Sequence, residues 1–259
     1  MKRMYRARPE DGIAWVTGAS SGIGSAVALE LARRNFAVAA TARRTSELAS
    51  LAKNSQAIFS FPGDITDRAA MAGLVGQIES VHGPIALAFL NAGIYLVAER
   101  HNFTADVAWR TFETNVGGTI NCLDPLLAAM MRRGKGQIAV TSSLAGYGGI
   151  AGSAAYGATK AALIYLAEAL KLTYARNDLT IQIVNPGFVQ TEMTDHVKFK
   201  MPFLMSAEQA AGLVCDGFEK GGFEIAFPRR LAYAFKALRL LPYSLYFPLM
   251  ERAARRASR

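Results

Sequence analysis

Short apolar runs rich in β-branched residues alternate along this chain with longer stretches whose apolar residues recur every three to four positions. The short runs predict strands near Ile13–Thr17, Ala37–Thr41, Ala57–Phe61, Ile85–Leu90, Gln137–Thr141, Thr180–Val184 and Glu224–Ala226. The longer periods predict helices near Ile23–Arg34, Ala69–Val81, Ala108–Arg133, Ala154–Arg176 and Ala207–Lys220. Ser206 followed by Gln209 predicts a capping box at the start of the last of these. Strand and helix in alternation predict an α/β fold: a doubly wound, seven-stranded parallel Rossmann sheet with helices on both faces. Crossovers in such a sheet are right-handed, and ligands bind beyond the carboxyl ends of the strands. No repeat or linker divides residues 1–227, so they read as one domain, with 228–259 as a C-terminal extension.

A glycine-rich turn follows the first strand and opens the first helix, in Thr17-Gly18-Ala19-Ser20-Ser21-Gly22-Ile23-Gly24. Gly18 suits a tight turn, Gly22 lets backbone approach a pyrophosphate, and Gly24 permits helix to pack closely on strand. The helix N-terminus adds amide donors and a positive dipole for the anion. A dinucleotide fold selective for NAD carries an acid about 20 residues beyond these glycines, at the ribose hydroxyls. Here Arg43 stands 19 residues after Gly24, followed by Arg44. A guanidinium fork suits a 2′-phosphate, so NADP(H) is expected rather than NAD(H), with Ser21 adding a hydroxyl.

Tyr156 and Lys160 are four residues apart on a predicted helix, hence on one face. A free phenol ionises near 10, and a neighbouring ammonium is expected to lower that value toward the working range. Ser143 lies at the end of the fifth strand, where its hydroxyl is able to meet the same substrate oxygen. In this combination of motifs the chain resembles the short-chain dehydrogenase/reductase family, in its compact single-domain branch, from about Gly12 to Phe227. Thr17 to Gly24 resembles the family's cofactor turn, and Asp64 with Ile65 the acid-containing step at the adenine pocket. Asn91-Ala92-Gly93 resembles the motif that supports the sheet beside the cofactor. Pro186-Gly187, with Val189 and Thr191, resembles the segment that receives the nicotinamide carboxamide. The resemblance implies catalysis by Asn115, Ser143, Tyr156 and Lys160, with Tyr156 and Lys160 also at the nicotinamide ribose. It further implies that Asn115 kinks its helix and holds a water beside Lys160. Homodimers or homotetramers are implied too, paired through the helices near Ala108–Arg133 and Ala154–Arg176.

Composition sharpens the picture at the ends. Net charge is +9, yet residues 228–259 hold eight basic residues and one acid, and so seven of those charges. Leu231, Ala234, Phe235, Leu238 and Leu241 share one helical face, and Pro242 and Pro248 are expected to break the helix among aromatics and leucines. Such a basic amphipathic tail suits peripheral contact with a membrane surface, and packing on the enzyme body or a second subunit, shielding the active site, is the competing reading. Its bulky apolar content argues against nucleic acid. No signal peptide or membrane span is expected, and Cys122 and Cys215 read as reduced core residues of a cytoplasmic protein. His82, His101 and His196 show no ligand spacing, so no metal is expected. Met193, Phe199, Met201, Phe203, Leu204 and Met205, interrupted by Lys198 and Lys200, suggest either an apolar cover over the substrate or ordinary core packing. The expected activity is NADP(H)-preferring interconversion of a carbonyl and a secondary alcohol on an apolar, lipid-like substrate. The alternatives are a catalytically silent NADP(H)-binding scaffold or sensor, and the same chemistry on small polar carbonyls.

Overall fold

The computed structural model describes residues 4–96, 103–194 and 201–257. Among these described residues seven strands are formed: β1 Ile13–Thr17, β2 Val38–Thr41, β3 Ile58–Ser60, β4 Ile85–Leu90, β5 Lys135–Thr141, β6 Asp178–Pro186 and β7 Glu224–Phe227. They lie in the order β3-β2-β1-β4-β5-β6-β7, and every pairing is parallel. Alternate residues of β1 show why both faces must be covered. Ala14 and Val16 enter one apolar layer and Ile13 and Trp15 the other, all fully buried. On the first face lie α1 (Gly22–Arg33), α2 (Thr45–Lys53) and α7 (Ala207–Lys220). On the second lie α3 (Arg68–His82), α5 (Gly118–Arg133) and α6 (Ala154–Thr173). The capping box forms as expected, with Ser206 accepting from the Gln209 amide and the Gln209 side chain accepting from the Ser206 amide. Winding reverses between β1 and β4, which leaves a crevice at their carboxyl ends.

Three local features depart from the sequence-based expectation. Helix α2 was not foreseen: its Leu48 and Leu51 are buried, but nine residues leave too short a period to stand out. The single helix expected over Ala108–Arg133 is α4 (Ala105–Phe112), a wide π-turn at Glu113–Gly117, then α5. Pro248 does not break the extension. After α8 (Arg229–Arg239) comes α9 (Tyr243–Ala257), with Pro248 inside it and the carbonyl of Pro242 accepting from the amides of Leu245 and Tyr246. A proline at that place forfeits only the bond to Ser244, whose exposure lets water take its carbonyl.

The tail is partly packed on the body. Ala232 and Tyr246 are buried, Leu231, Phe235, Leu238 and Leu241 are half-buried, and Ala234 is exposed, so the foreseen face holds except at Ala234. Among the described residues no helix is long and apolar enough to cross a membrane. His82 stacks on Phe59 with ring centroids 4.1 Å apart, whereas His101 and His196 lie outside the described residues.

Candidate active site

The crevice is a cleft of about 560 Å³ at the carboxyl ends of the strands, running from the β1–α1 turn to the start of α6. Its floor is built from strand ends that side chains tie to one another. The Thr17 hydroxyl accepts from the amides of Asn91 and Ala92, at 3.0 and 3.2 Å, tying β1 to β4. Thr141 donates to Asn91 Oδ1 at 3.3 Å and brings in β5.

At one end the glycine turn forms a cradle. Gly18 and Gly22 have φ of +68° and +56°, a conformation that favours glycine. A Cβ at Gly18 would meet the Ala92 backbone at 2.7 Å, and one at Gly24 would meet the Gly18 carbonyl oxygen at 2.2 Å. Gly24 thus serves close packing of α1, while Gly18, Ser20, Ser21, Gly22 and Ile23 line the cleft itself. The two arginines after β2 divide their work. Arg44 donates to Ser20 Oγ at 3.0 and 3.1 Å and to Ser21 Oγ at 2.7 Å, and it pairs with Glu192 at 2.9 Å. Arg43, singled out from the sequence, instead faces Asp64 at 3.7 Å. Asp64 accepts from the Thr66 amide and hydroxyl. Burial works to raise its carboxyl pKa, but these bonds and Arg43 hold it below the ordinary value.

The other end gathers Ser143, Tyr156 and Lys160. Ser143 follows β5, accepts from the Ala145 amide at 3.1 Å and donates to the Pro186 carbonyl at 3.4 Å. One helical turn places the Lys160 ammonium 5.5 Å from the centroid of the Tyr156 ring, and it donates to the Thr141 carbonyl at 3.0 Å. Burial governs both pKa values. The Tyr156 phenol is pushed up to about 12, against a lowering hydrogen bond from Ser143, and the Lys160 ammonium is brought down to about 8. The expected lowering of the tyrosine by its lysine is therefore not found: burial, with Tyr95, raises it, and the lowering partner is Ser143. Tyr95 stands edge-on to Tyr156, with centroids 5.2 Å apart.

Asn115 occupies the π-turn, fully buried, and its amide clamps one residue from both sides. The Ile94 amide donates to Asn115 Oδ1 at 2.7 Å, and Asn115 Nδ2 donates to the Ile94 carbonyl at 3.0 Å and to Thr159 Oγ1 at 3.1 Å. A Cβ on Gly93 would lie 3.1 Å from Asn115 Oδ1 and 3.5 Å from Lys160 Nζ, so glycine leaves that approach open. The extra residue of the π-turn aims Asn115 at this strand end.

Ile65, Asn91, Ala92, Gly93, Pro186, Gly187, Val189 and Thr191 all line the cleft as well. Sequence reasoning passed over Tyr95, Thr141, Glu192 and the position of Arg44. Tyr95 lay within reach, two residues beyond Asn91-Ala92-Gly93; Glu192 had no local signal. Of the apolar residues after Thr191, Met193 lines the cleft, Met205 bridges to Val189 and packs on the core, and Phe203 and Leu204 are exposed. Lys198, Phe199 and Lys200 lie outside the described residues.

A doubly wound parallel sheet with a glycine cradle and a Ser-Tyr-Lys cluster across one cleft defines a class of α/β oxidoreductases. The chain belongs to the short chain dehydrogenase family, whose model matches residues 12–201. It is 35% identical to an uncharacterized oxidoreductase of Myxococcus xanthus, covering 94% of this chain and 96% of the other. It is 33% identical to the 3-oxoacyl-acyl-carrier-protein reductase of Escherichia coli, covering 80% and 82% respectively. A short chain dehydrogenase of Burkholderia cenocepacia, solved in complex with NADP, superposes with a TM-score of 0.75 at 26% identity, covering 85% and 96%.

Replacing Asn115 by Leu would orphan the Ile94 amide and carbonyl. The expected loss of stability is about 1–3 kcal/mol for each group, read by chemical denaturation. Loss below that range would mean that water replaces the clamp.

Proposed function

We propose that this oxidoreductase prefers NADP(H) and interconverts a carbonyl and a secondary alcohol on an apolar, lipid-like substrate. The observation that carries the reading is the meeting of Ser143, Tyr156 and Lys160 at one end of a cleft whose other end is a glycine cradle rimmed by arginines. The cradle that side chains would fill, and the length of the cleft, fit a nicotinamide dinucleotide. In this reading Gly18, Ser20, Ser21, Gly22, Ile23 and the α1 N-terminus hold its pyrophosphate. Arg44 and Arg43 take the 2′-phosphate, and Asp64 and Ile65 border the adenine. Asn91, Ala92 and Gly93 flank it, and Pro186, Gly187, Val189 and Thr191 receive the carboxamide. When bound, the cofactor supplies or accepts the hydride.

Burial keeps Tyr156 protonated and ready to give its proton from Oη to a substrate carbonyl oxygen. Ser143 donates a hydrogen bond to the same oxygen as charge develops there. Lys160, as a cation, stabilises the phenolate that Tyr156 becomes, and touches the ribose. Asn115 clamps Ile94 by both backbone groups beside that ammonium, a positioning role that stands alongside the water-holding one implied by resemblance. Met193 on the cleft wall supports an apolar substrate. So does the naming of two relatives as reductases of 3-oxoacyl and acetoacetyl groups.

The tail supports peripheral contact with anionic lipid. Tyr233, Leu240, Tyr243, Leu245, Phe247 and Leu249 are exposed there beside Arg229, Arg230, Arg239, Arg252 and Arg255. Exposed Trp109, Ile120, Tyr165 and Leu172 on α4, α5 and α6 support pairing of copies through those helices. Burial pushes the Cys122 and Cys215 thiols up to about 12, so both are inert and suit a reducing, cytoplasmic setting.

NADPH oxidation should be followed across a panel of long-chain or polycyclic carbonyls and small polar ones, with Tyr156→Phe alongside. Turnover on the apolar half, lost by at least a hundredfold in Tyr156→Phe, is expected; an equally active variant sinks the mechanism. Because Lys160 loses its cation as pH rises through about 8, kcat/KM for reduction should fall across that range, and a flat profile from about 7 to 9 contradicts its role. Arg44→Ala should weaken NADPH at least tenfold more than NADH in fluorescence titration. Equal losses would remove the 2′-phosphate contact. Full-length protein should co-sediment with phosphatidylserine vesicles, and a Leu240→Glu/Phe247→Glu variant should stay in the supernatant.

A further inference from the structure

Residues 144–153 link Ser143 to the helix that carries Tyr156, and four of the ten are glycine: Gly146, Gly148, Gly149 and Gly152. A segment so rich in glycine has weak conformational preferences of its own. Yet both hydroxyls of the proposed reaction hang from its ends. Contacts from outside hold it at three points. Tyr95 Oη donates to the Gly152 carbonyl at 3.1 Å. Tyr246 Oη, from α9, donates to the Gly149 carbonyl at 2.9 Å. Tyr147 donates to Glu224 of β7 and accepts from Asn185 Nδ2 at 3.1 Å.

The extension supplies two of these anchors, directly or through Glu224. Tyr246 is 4% exposed while its edge-on neighbours Tyr243 and Phe247 are 61% and 55% exposed, so α9 turns one aromatic inward onto the loop. The fit is close: a Cβ on Gly148 would lie 2.7 Å from Tyr246 Oη. From α8, Lys236 pairs with the other oxygen of Glu224, and its ammonium stands 5.3 Å from the centroid of the Tyr147 ring. Burial works to raise the Glu224 pKa, but the bonds from Lys236 and Tyr147 hold it below the ordinary carboxylate value, and it is charged at neutral pH. Asn185 bonds to both Tyr147 and Glu224, and the next residue, Pro186, presents the carbonyl to which Ser143 donates. The contacts therefore run from Lys236 without a break to Ser143.

We propose that α8 and α9 form a clasp on the loop between Ser143 and Tyr156, with Tyr246 and Lys236 as positioning residues for the reaction. The extension is then part of the active-site scaffold, and its outward face and its inward face serve different ends. This inference rests on the assignment of Ser143 and Tyr156 as the reacting hydroxyls, so Tyr156→Phe accompanies every measurement.

The test uses the full-length chain with Tyr246→Phe, which removes one hydroxyl and keeps the ring, and with Lys236→Met and Lys236→Arg. Loss of one positioning hydrogen bond should lower kcat by about three- to tenfold in Tyr246→Phe and Lys236→Met. NADPH affinity should stay within about twofold, since the cradle is at the far end of the cleft, and Lys236→Arg should recover at least about half the rate. Hydrogen exchange should quicken over residues 144–153 and not over 13–24. A merely stabilising tail would move neither the split between kcat and cofactor affinity nor the arginine rescue. Wild-type kcat in both Tyr246→Phe and Lys236→Met overturns the clasp, as does a parallel loss of cofactor affinity. If Tyr156→Phe is itself fully active, the assignment of the reacting hydroxyls has failed; if it is inactive while Tyr246→Phe and Lys236→Met are both unimpaired, the clasp alone has failed.

Discussion

Burying the ammonium of Lys160 is the constraint around which this protein is arranged. A cation withdrawn from water is costly, and the ionisation of Lys160 is lowered to about 8 accordingly. The Thr141 carbonyl, at 3.0 Å, and the Tyr156 ring meet it. The Thr141 carbonyl is available because β5 ends there and the sheet makes no further claim on it. Gly93 has no side chain, and Asn115 holds the adjoining Ile94 by both backbone groups, which keeps the β4 strand end from closing over the ammonium. Parallel strands that stop together at the winding reversal therefore supply unpaired backbone groups where a charged side chain needs them.

The same logic explains the side-chain ties across the strand ends. Thr17, Asn91 and Thr141 satisfy one another and the neighbouring amides, and so convert three separate strand ends into one rigid floor. On that floor the glycine turn stands as an open cradle, anchored where the Ala19 amide donates to the Thr41 carbonyl. The price in flexibility falls on the loop after Ser143, whose glycines leave it dependent on contacts from Tyr95, β7 and the C-terminal helices. Charge is distributed to match. The body is nearly neutral, and the basic excess is confined to helices that turn Tyr246 inward, pair the exposed Lys236 with Glu224 and leave their arginines in solvent.

The fold was legible because its signals are local and periodic. Continuous apolar runs mark strands buried on both faces, and the spacing of Tyr156 and Lys160 on one helix is a matter of 3.6 residues per turn. The glycine turn was equally plain, since each glycine answers a local steric demand. The split of α4 from α5 was hidden from periodicity, because a π-turn preserves apolar content and shifts only the phase; the resemblance alone pointed to a kink at Asn115, where the π-turn falls. Pro248 misled because a helix-breaking residue was weighed without the solvent exposure of Ser244, which makes its missing bond tolerable.

Sequence alone determined the sheet and its winding, the placement of the cradle, and the three residue types that meet at the site. Those depend on interactions between near neighbours, which hydrophobic period and turn chemistry report. Which arginine faces the serines of the turn was decided only in three dimensions, as Arg44 is drawn by Glu192, 148 residues away. So were the burial that sets the ionisation of Tyr156 and Lys160, and the inward turn of Tyr246 onto Gly149. Desolvation and long-range contact have no period along the chain, so they enter only when packing brings distant residues together.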